Sequence, residues 1–163
     1  MNVPAELVRQ LQELAANPPD GALPDLSVSA PEGHLLLVLA AVDSLGCAFH
    51  RLTWRTDRLQ QASSQQLKQL GEYLAQRLQY LLEPIHLVEV DPVEPAVQLR
   101  SAPPQQDSTG RTYYEVLATT GGEISLCRYR KVPGQARQAV PATVTHEVVR
   151  RLVQDVVESV GQE

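Results

Sequence analysis

The sequence predicts an α+β domain in which an antiparallel sheet of about five to six strands carries its helices on one face. Apolar residues recur at helical spacing in three segments, and short apolar or alternating runs lie between those segments. Neighbouring runs are joined by short polar turns, so consecutive strands should pair directly. The expected order of elements is α-β-β-β-α-β-β-β-α.

The chain of 163 residues is expected to form a single domain, with an N-terminal helix at residues 4–16, a first half at 26–82 and a second half at 85–161. Its net charge of −5 argues against nucleic acid as the main partner. The longest apolar run, residues 35–42, is far shorter than the roughly 20 residues of a membrane span, so no membrane association is expected. The chain shows no secretory signal, and we expect a cytoplasmic protein.

Two of the helices are indicated by leucines on one face. Residues 4–16 carry such a face behind Pro4, which suits a first helical turn. The central helix begins at a Ser63 or Ser64 cap, and Glu83-Pro84 is expected to end it because proline disfavours helical geometry in the preceding residue. Its apolar stripe consists of Leu67, Leu70, Leu74, Leu78 and Leu81.

The last helix is expected to start at Thr143 or Thr145 and to carry a double column of valines. This column is wider than packing on one sheet face requires. The additional apolar surface predicts that this helix also contacts the central leucine helix or a second subunit.

The strands are indicated by composition and by the turns between them. Residues 35–42 are almost wholly apolar, which predicts a strand buried on both faces. The next strand, residues 47–56, places Phe49, Leu52 and Trp54 out of phase, so a bulge or burial on both sides is expected. Further strands are expected at residues 26–30, 85–90, 96–101, 113–119 and 124–131, the last two as a hairpin, with exposed linkers at 102–110 and 132–142.

A weak internal repeat relates the two halves. A shift of 78 residues sets Val38 against Val116, and a one-residue gap then sets Arg51 against Arg128. Apolar patterns match easily by chance, so a degenerate duplication stays an open alternative.

The sequence contains no complete catalytic or metal-binding motif. His146-Glu147 would begin the helical zinc-protease motif, but residue 150 is arginine where the second histidine ligand is needed. We therefore expect no catalytic residues, no metal and no cofactor. The sequence does not decide whether the protein is an enzyme, but it favours a protein without catalytic activity. Cys47 and Cys127 are expected to be small buried hydrophobes and not a disulfide.

The candidate binding residues mix basic and aromatic side chains on two strands. The favoured interpretation is that the basic side chains form ion pairs across the sheet with the acidic stretch at residues 83–94. The less favoured interpretation is that the aromatic side chains stack on the bases of single-stranded nucleic acid. The candidates are His50, Arg51, Trp54, Arg55, Cys127, Arg128, Tyr129 and Arg130.

Three functions remain open at this point. The first is a non-catalytic protein-interaction or chaperone-like module, a homodimer with an unidentified protein partner; its order of helices and strands is broadly similar to that of small acidic dimeric secretion chaperones, without a matching motif. The second is a small-molecule-binding protein or small enzyme with a site between the halves, built from His50, Arg51, Cys127 and Arg128. The third is binding of single-stranded nucleic acid.

Overall fold

The computed structural model describes residues 1–161 and confirms an α+β fold built on one open antiparallel sheet. The helices are α1 Val3–Ala16, α2 Ser64–Arg77 and α3 His146–Ser159, with a short 3-10 helix at Asp57–Leu59. The strands are β1 Leu26–Ala30, β2 Gly33–Val42, β3 Gly46–Arg55, β4 Ile85–Asp91, β5 Ala96–Ser101, β6 Gln105–Gln106, β7 Arg111–Thr119, β8 Glu123–Lys131, β9 Gln138–Val140 and β10 Ala142–Thr145.

The main path of the sheet is β1-β2-β3-β8-β7-β5-β4, and β6, β9 and β10 pair at its sides. All of these strand pairs are antiparallel. The described chain thus has ten strands, more than the five to six expected. Three of the ten correspond to none of the strand segments named from the sequence: β6 and β9, which lie in the two segments expected to be linkers, and β10, which directly precedes α3.

The two halves of the chain meet where β3 pairs with β8. These strands are paired over only four positions, from Leu52 opposite Leu126 to Arg55 opposite Glu123. Beyond this contact they diverge, and the gap is filled by β9, which runs along β8, and β10, which runs along β3. Pro141, which has no N–H to donate, lies between β9 and β10 where the chain changes from one side of the fork to the other.

The core lies between the helices and one face of the sheet. Leu52, Leu126, Val116 and Leu99 are buried and stand opposite one another across β3, β8, β7 and β5. Because side chains alternate along a strand, the intervening residues of these strands point to the other face. We call the first the helix face and the second the open face.

The bulge expected in β3 is present at His50. The residue pairing passes from Val38 opposite Arg51 to Leu39 opposite Phe49, so His50 has no partner on β2. This extra residue shifts the alternation, and Phe49 and Leu52 therefore both reach the helix face.

The expectation that β2 is buried on both faces was wrong. Leu35, Leu37 and Leu39 are buried on the helix face, whereas Leu36 and Val38 are only half-buried. The physical reason is that these two residues face the side of the sheet on which no helix of residues 1–161 packs.

Helix α2 ends at Arg77, six residues before the expected Glu83-Pro84 boundary. The chain turns after the helix and still buries Leu78 and Leu81, while Leu82 adopts a positive φ of 66° and is 89% exposed. The turn places the Glu83 carboxylate in the protein interior. That carboxylate accepts hydrogen bonds from Arg128 Nη1 at 2.9 Å and from the Ser101 hydroxyl at 2.9 Å.

The wide apolar face of α3 packs within the chain. Thr145 caps the helix by accepting a hydrogen bond from the Val148 N–H. The helix contacts α1, α2, β3 and β10. These contacts bury Val149, Leu152, Val153, Val156 and Val160.

The structure gives the internal repeat no support, because the aligned strand residues lie on opposite faces. Val38 is half-buried beside Arg51 on the open face, but its counterpart Val116 is buried in the helix-face core. Likewise Arg51 lies on the open face and Arg128 on the helix face.

We predict that Glu83→Ala destabilises the fold by about 3 kcal/mol, because it leaves the guanidinium of Arg128 buried without its partner. The side chains of Glu83 and Arg128 are only 5% and 12% exposed. Urea denaturation measures the loss, with the exposed Glu94→Ala as a matched control that should change stability by less than about 0.5 kcal/mol. Equal stability of the two variants would contradict a structural role for the pair.

Candidate functional site

The open face of the central strands carries a patch of arginines, glutamates and tyrosines. Its members are Arg51, Thr53 and Arg55 on β3, Glu123, Ser125, Cys127 and Tyr129 on β8, Tyr113, Glu115 and Leu117 on β7, and Gln98 and Arg100 on β5. Arg137, just before β9, reaches this patch through its contacts with Glu115.

The residues predicted from the sequence are divided between the two faces of the sheet. Arg51, Arg55, Cys127 and Tyr129 lie on the open face, and His50 is exposed at the bulge in β3. The other three lie on the helix face: Trp54, Arg128 and Arg130.

The three helix-face residues have structural partners. Trp54 is buried in the core, and Arg128 pairs with Glu83 and stacks over the Tyr114 ring at 4.4 Å. Arg130 donates to both carboxylate oxygens of Asp107 at 3.0 Å. These contacts account for the basic residues 128 and 130 without a ligand.

Asp107 shapes the segment 102–110, which the sequence indicated was an exposed linker. Its carboxylate accepts hydrogen bonds from the backbone N–H groups of Thr109 and Gly110 as well as from Arg130. The hydrogen bonds from Arg130, and then those from the backbone, hold the pKa of Asp107 below its usual value. The segment also contains strand β6.

The first charged group on the open face joins two arginines to one carboxylate across the contact between β3 and β8. Arg51 Nη2 lies 2.8 Å from Oε1 of Glu123, and Arg55 Nε lies 3.0 Å from its Oε2. Thr53, between the arginines, accepts a hydrogen bond from Arg51 Nε at 3.1 Å. Two guanidinium groups share one carboxylate, so this triad has a surplus positive charge.

The second triad is built in the same way on β5, β7 and the segment before β9. Glu115 accepts from Arg137 Nη1 at 2.5 Å and from Arg100 Nη2 at 3.3 Å, and Gln98 donates to it at 2.9 Å. Burial alone raises the pKa of Glu115, which is 8% exposed, but the hydrogen bonds and charge of Arg137 outweigh burial and the net pKa is lowered. The triad therefore stays ionised at neutral pH and again has a surplus positive charge.

The two tyrosines of the patch are covered by the arginines of the second triad. The guanidinium of Arg100 lies 4.6 Å from the ring centroid of Tyr113, and that of Arg137 lies 3.8 Å from the centroid of Tyr129. The two rings are 6.1 Å apart at an interplanar angle of 39°. Each arginine is thus held by a carboxylate on one side and an aromatic ring on the other.

Sequence reasoning missed Arg100, Tyr113 and Glu115. A signal was present, because Arg111, Tyr113 and Glu115 occupy successive alternate positions of β7. It was overlooked because Arg100 and Glu115 lie outside the basic stretch around residue 130.

The open face is basic although the whole chain is acidic. Its central strands and the segment before β9 combine two glutamates, Glu115 and Glu123, with a larger set of cations. Glu89 and Asp91 lie at the border of this patch on the edge strand β4, where Glu89 stands opposite Gln98 and Asp91 opposite Ala96. The cations are Arg51, Arg55, Arg100, Arg111, Lys131 and Arg137.

Five surface cavities have volumes between about 290 and 400 Å³. Among the predicted residues, only Arg55 lines one of them, a cavity of about 390 Å³ beside Gly33. Within the described part of the chain, no group of three or more histidine, cysteine or acidic side chains is arranged to hold a metal ion.

His146 and Glu147 occupy the first turn of α3 and have local partners. His146 Nε2 lies 3.0 Å from the carbonyl oxygen of Asp43, and Glu147 forms an ion pair with Arg150. Cys47 and Cys127 are free and buried, as the sequence predicts. None of the helices described between residues 1 and 161 is long and apolar enough to span a membrane.

No protein-family model matches this chain, and no match was found among curated proteins or solved structures. The protein can therefore be classified only by its fold and by the chemistry of its surface. It is an α+β protein with one helix-covered sheet face and one basic open face.

We predict that Glu115→Gln lowers the free energy of unfolding at pH 7 by about 1–2 kcal/mol, because Arg100 and Arg137 lose their shared charge. A carboxyl group with a lowered native pKa stabilises the fold above its unfolded pKa of about 4.3 and loses that effect as the pH falls. The stability difference between wild type and variant should therefore shrink below about pH 4. Urea titrations across pH test this, and a difference that stays constant down to pH 3 would contradict it.

Proposed function

We propose that this protein is a non-catalytic, chaperone-like interaction module that holds an acidic segment of a partner protein on its open face. The observation that carries the proposal is the pair of triads in which two arginines share one carboxylate. Both lie on the sheet face that no described helix covers. A protein with a net charge of −5 has thus gathered positive charge on one free surface.

Charge complementarity identifies the chemistry of the partner. Arginine presents a planar fork of N–H donors that matches a carboxylate, and each triad has more donors than its single glutamate can accept. Arg51 and Arg55 are exposed at one end of the patch, where a partner carboxylate can reach them. Aspartate and glutamate side chains of an extended segment meet these requirements.

The tyrosines favour a protein partner over nucleic acid. Single-stranded nucleic acid binds by stacking its bases on exposed aromatic rings. Tyr113 is 5% exposed, and guanidinium groups already lie over its ring and that of Tyr129. The patch therefore offers guanidinium donors at its surface and little aromatic area for a base.

The alternative is a small-molecule-binding protein or small enzyme with a site between the two halves. It requires His50, Arg51, Cys127 and Arg128 to meet one ligand. Arg51 and Cys127 point away from Arg128 across the thickness of the sheet, which favours an extended interface over such a pocket.

Self-association is a further part of the proposal. The support is that β4 ends the sheet, that no strand of residues 1–161 pairs with its outer edge, and that Val88 at its bulge is exposed. We propose that β4 pairs with its counterpart in a second copy. We also place the protein in the cytoplasm, where its two buried thiols would stay reduced.

We predict a homodimer at tens of micromolar whose fraction rises with salt, because ions screen the repulsion between Glu89 and Asp91 of the two copies. Light scattering would report twice the mass of one chain. A mass of one chain at every salt concentration would contradict the proposed dimer. It would not bear on the proposed binding of acidic segments.

We predict that the double variant Arg51→Gln/Arg55→Gln binds a fluorescein-labelled acidic peptide at least tenfold more weakly than wild type at low salt. The reason is the loss of two charge-assisted hydrogen bonds, each contributing about 1.5–3 kcal/mol when fully formed. Fluorescence anisotropy measures the affinity. The probe is a twelve-residue peptide with a Glu-Asp-Glu run and one leucine.

Arg9→Gln is the matched control, because Arg9 is an exposed arginine on α1 that also pairs with two glutamates. It should bind the peptide as wild type does. Labelled oligo-dT and oligo-U serve as competing probes. Binding of these oligonucleotides in preference to the peptide, or no effect of the double variant, would overturn the proposal.

A further inference from the structure

An apolar groove of about 400 Å³ lies at the end of β3 that is remote from the first triad. Its volume is at the lower end of the range for ligand pockets, which suits one bulky side chain and not a folded partner. The groove is lined by Ala41, Val42, Asp43, Leu45, Gly46, Cys47, Ala48, Thr143, Val144 and Thr145.

The floor of the groove belongs to the open face. Ala48 on β3 stands opposite Ala41 on β2 and Thr143 on β10, so three small side chains form one row across three strands. In the next row, Gly46 stands opposite Thr145. A Cβ at Gly46 would collide with the carbonyl oxygen of Val144, so the close approach of β3 and β10 requires glycine here.

The groove is mostly apolar, and Asp43 is the one acidic residue among those that line it. Burial, followed by the charge of Asp43, raises the pKa of Cys47 to about 11, so the thiol is neutral at physiological pH. The carboxylate of Asp43 accepts hydrogen bonds from the N–H groups of Leu45 and Gly46. Leu45 itself is 77% exposed at the turn between β2 and β3, an unusual position for a large apolar side chain.

The groove and the first triad lie on one line along β3. Ala48 and Arg51 both face the open side, with the bulged His50 between them. Three residues of strand cover about 10 Å at roughly 3.3 Å per residue. A partner segment in the extended polyproline II conformation, with three residues per turn and a rise of roughly 3.1 Å per residue, would cover about the same distance with three of its own residues and would turn the first and the fourth to the same side.

We propose that this groove takes one apolar side chain of the acidic partner segment, about three residues from the carboxylate that reaches Arg51. The inference rests on the proposed function and adds a requirement to it. The partner needs an aliphatic anchor as well as acidic residues, and the groove sets their spacing. His50 lies between the two contact points, next to the path of the segment.

The test compares two twelve-residue peptides that differ at one position. Both contain a Glu-Asp-Glu run, and the residue three positions before it is leucine in one peptide and serine in the other. Wild type should bind the leucine peptide about tenfold more tightly, because burying a leucine side chain is favourable. Thr143→Phe, which fills the groove from an exposed position, should bind both peptides equally.

Leu45→Ser should also reduce the preference for the leucine peptide, whereas Leu82→Ser, a change at another exposed leucine, should leave it intact. Thermal melting of each variant shows that the fold is retained. If wild type bound both peptides equally and the binding still depended on Arg51 and Arg55, the proposed role of the groove would be contradicted and the proposed function would remain. Failure of both peptides to bind would overturn the proposed function and the groove with it.

Discussion

The short contact between β3 and β8 is the constraint on which the rest of the structure depends. It joins the two halves of the chain through four residue pairs and sets the phase of side chains in the central strands. Leu52 and Leu126 thereby face the helices together, and Arg51 and Glu123 meet on the opposite side. One register thus produces both the core and the charged patch, and a slip of one residue would exchange them.

The two faces use arginine in different ways. On the helix face, Arg128 is nearly enclosed and its charge is matched by Glu83, so that pair fixes the chain after α2. On the open face, Glu115 and Glu123 each hold two arginines in place without neutralising both. Because the carboxylates, and in the second triad also the aromatic rings, fix the guanidinium groups, these side chains lose less conformational entropy when a partner binds than free side chains would.

The sequence predicted the parts of the fold that depend on local pattern. The three helices and the hairpin of β7 and β8 follow from apolar spacing and turn residues. The irregular phase of β3 indicated either a bulge or burial on both sides, and the structure has the bulge, at His50. It did not predict the path of β9 and β10, because that path exists only where β3 and β8 diverge. Helix α2 ended early for a similar reason, since the ion pair of Glu83 is a tertiary contact that no local pattern records.

The candidate site was predicted in part, because a basic stretch does not show which of its members share a face. Cys127 and Tyr129 reach the open face and Arg128 the other, while Arg100 and Glu115 come from distant positions in the sequence. The most direct test of the account is a heteronuclear NMR titration of the full chain with the acidic leucine peptide. We expect shifts at Arg51, Arg55, Ala48 and Thr143 and none on α1 or α3; shifts confined to the helices would contradict binding on the open face.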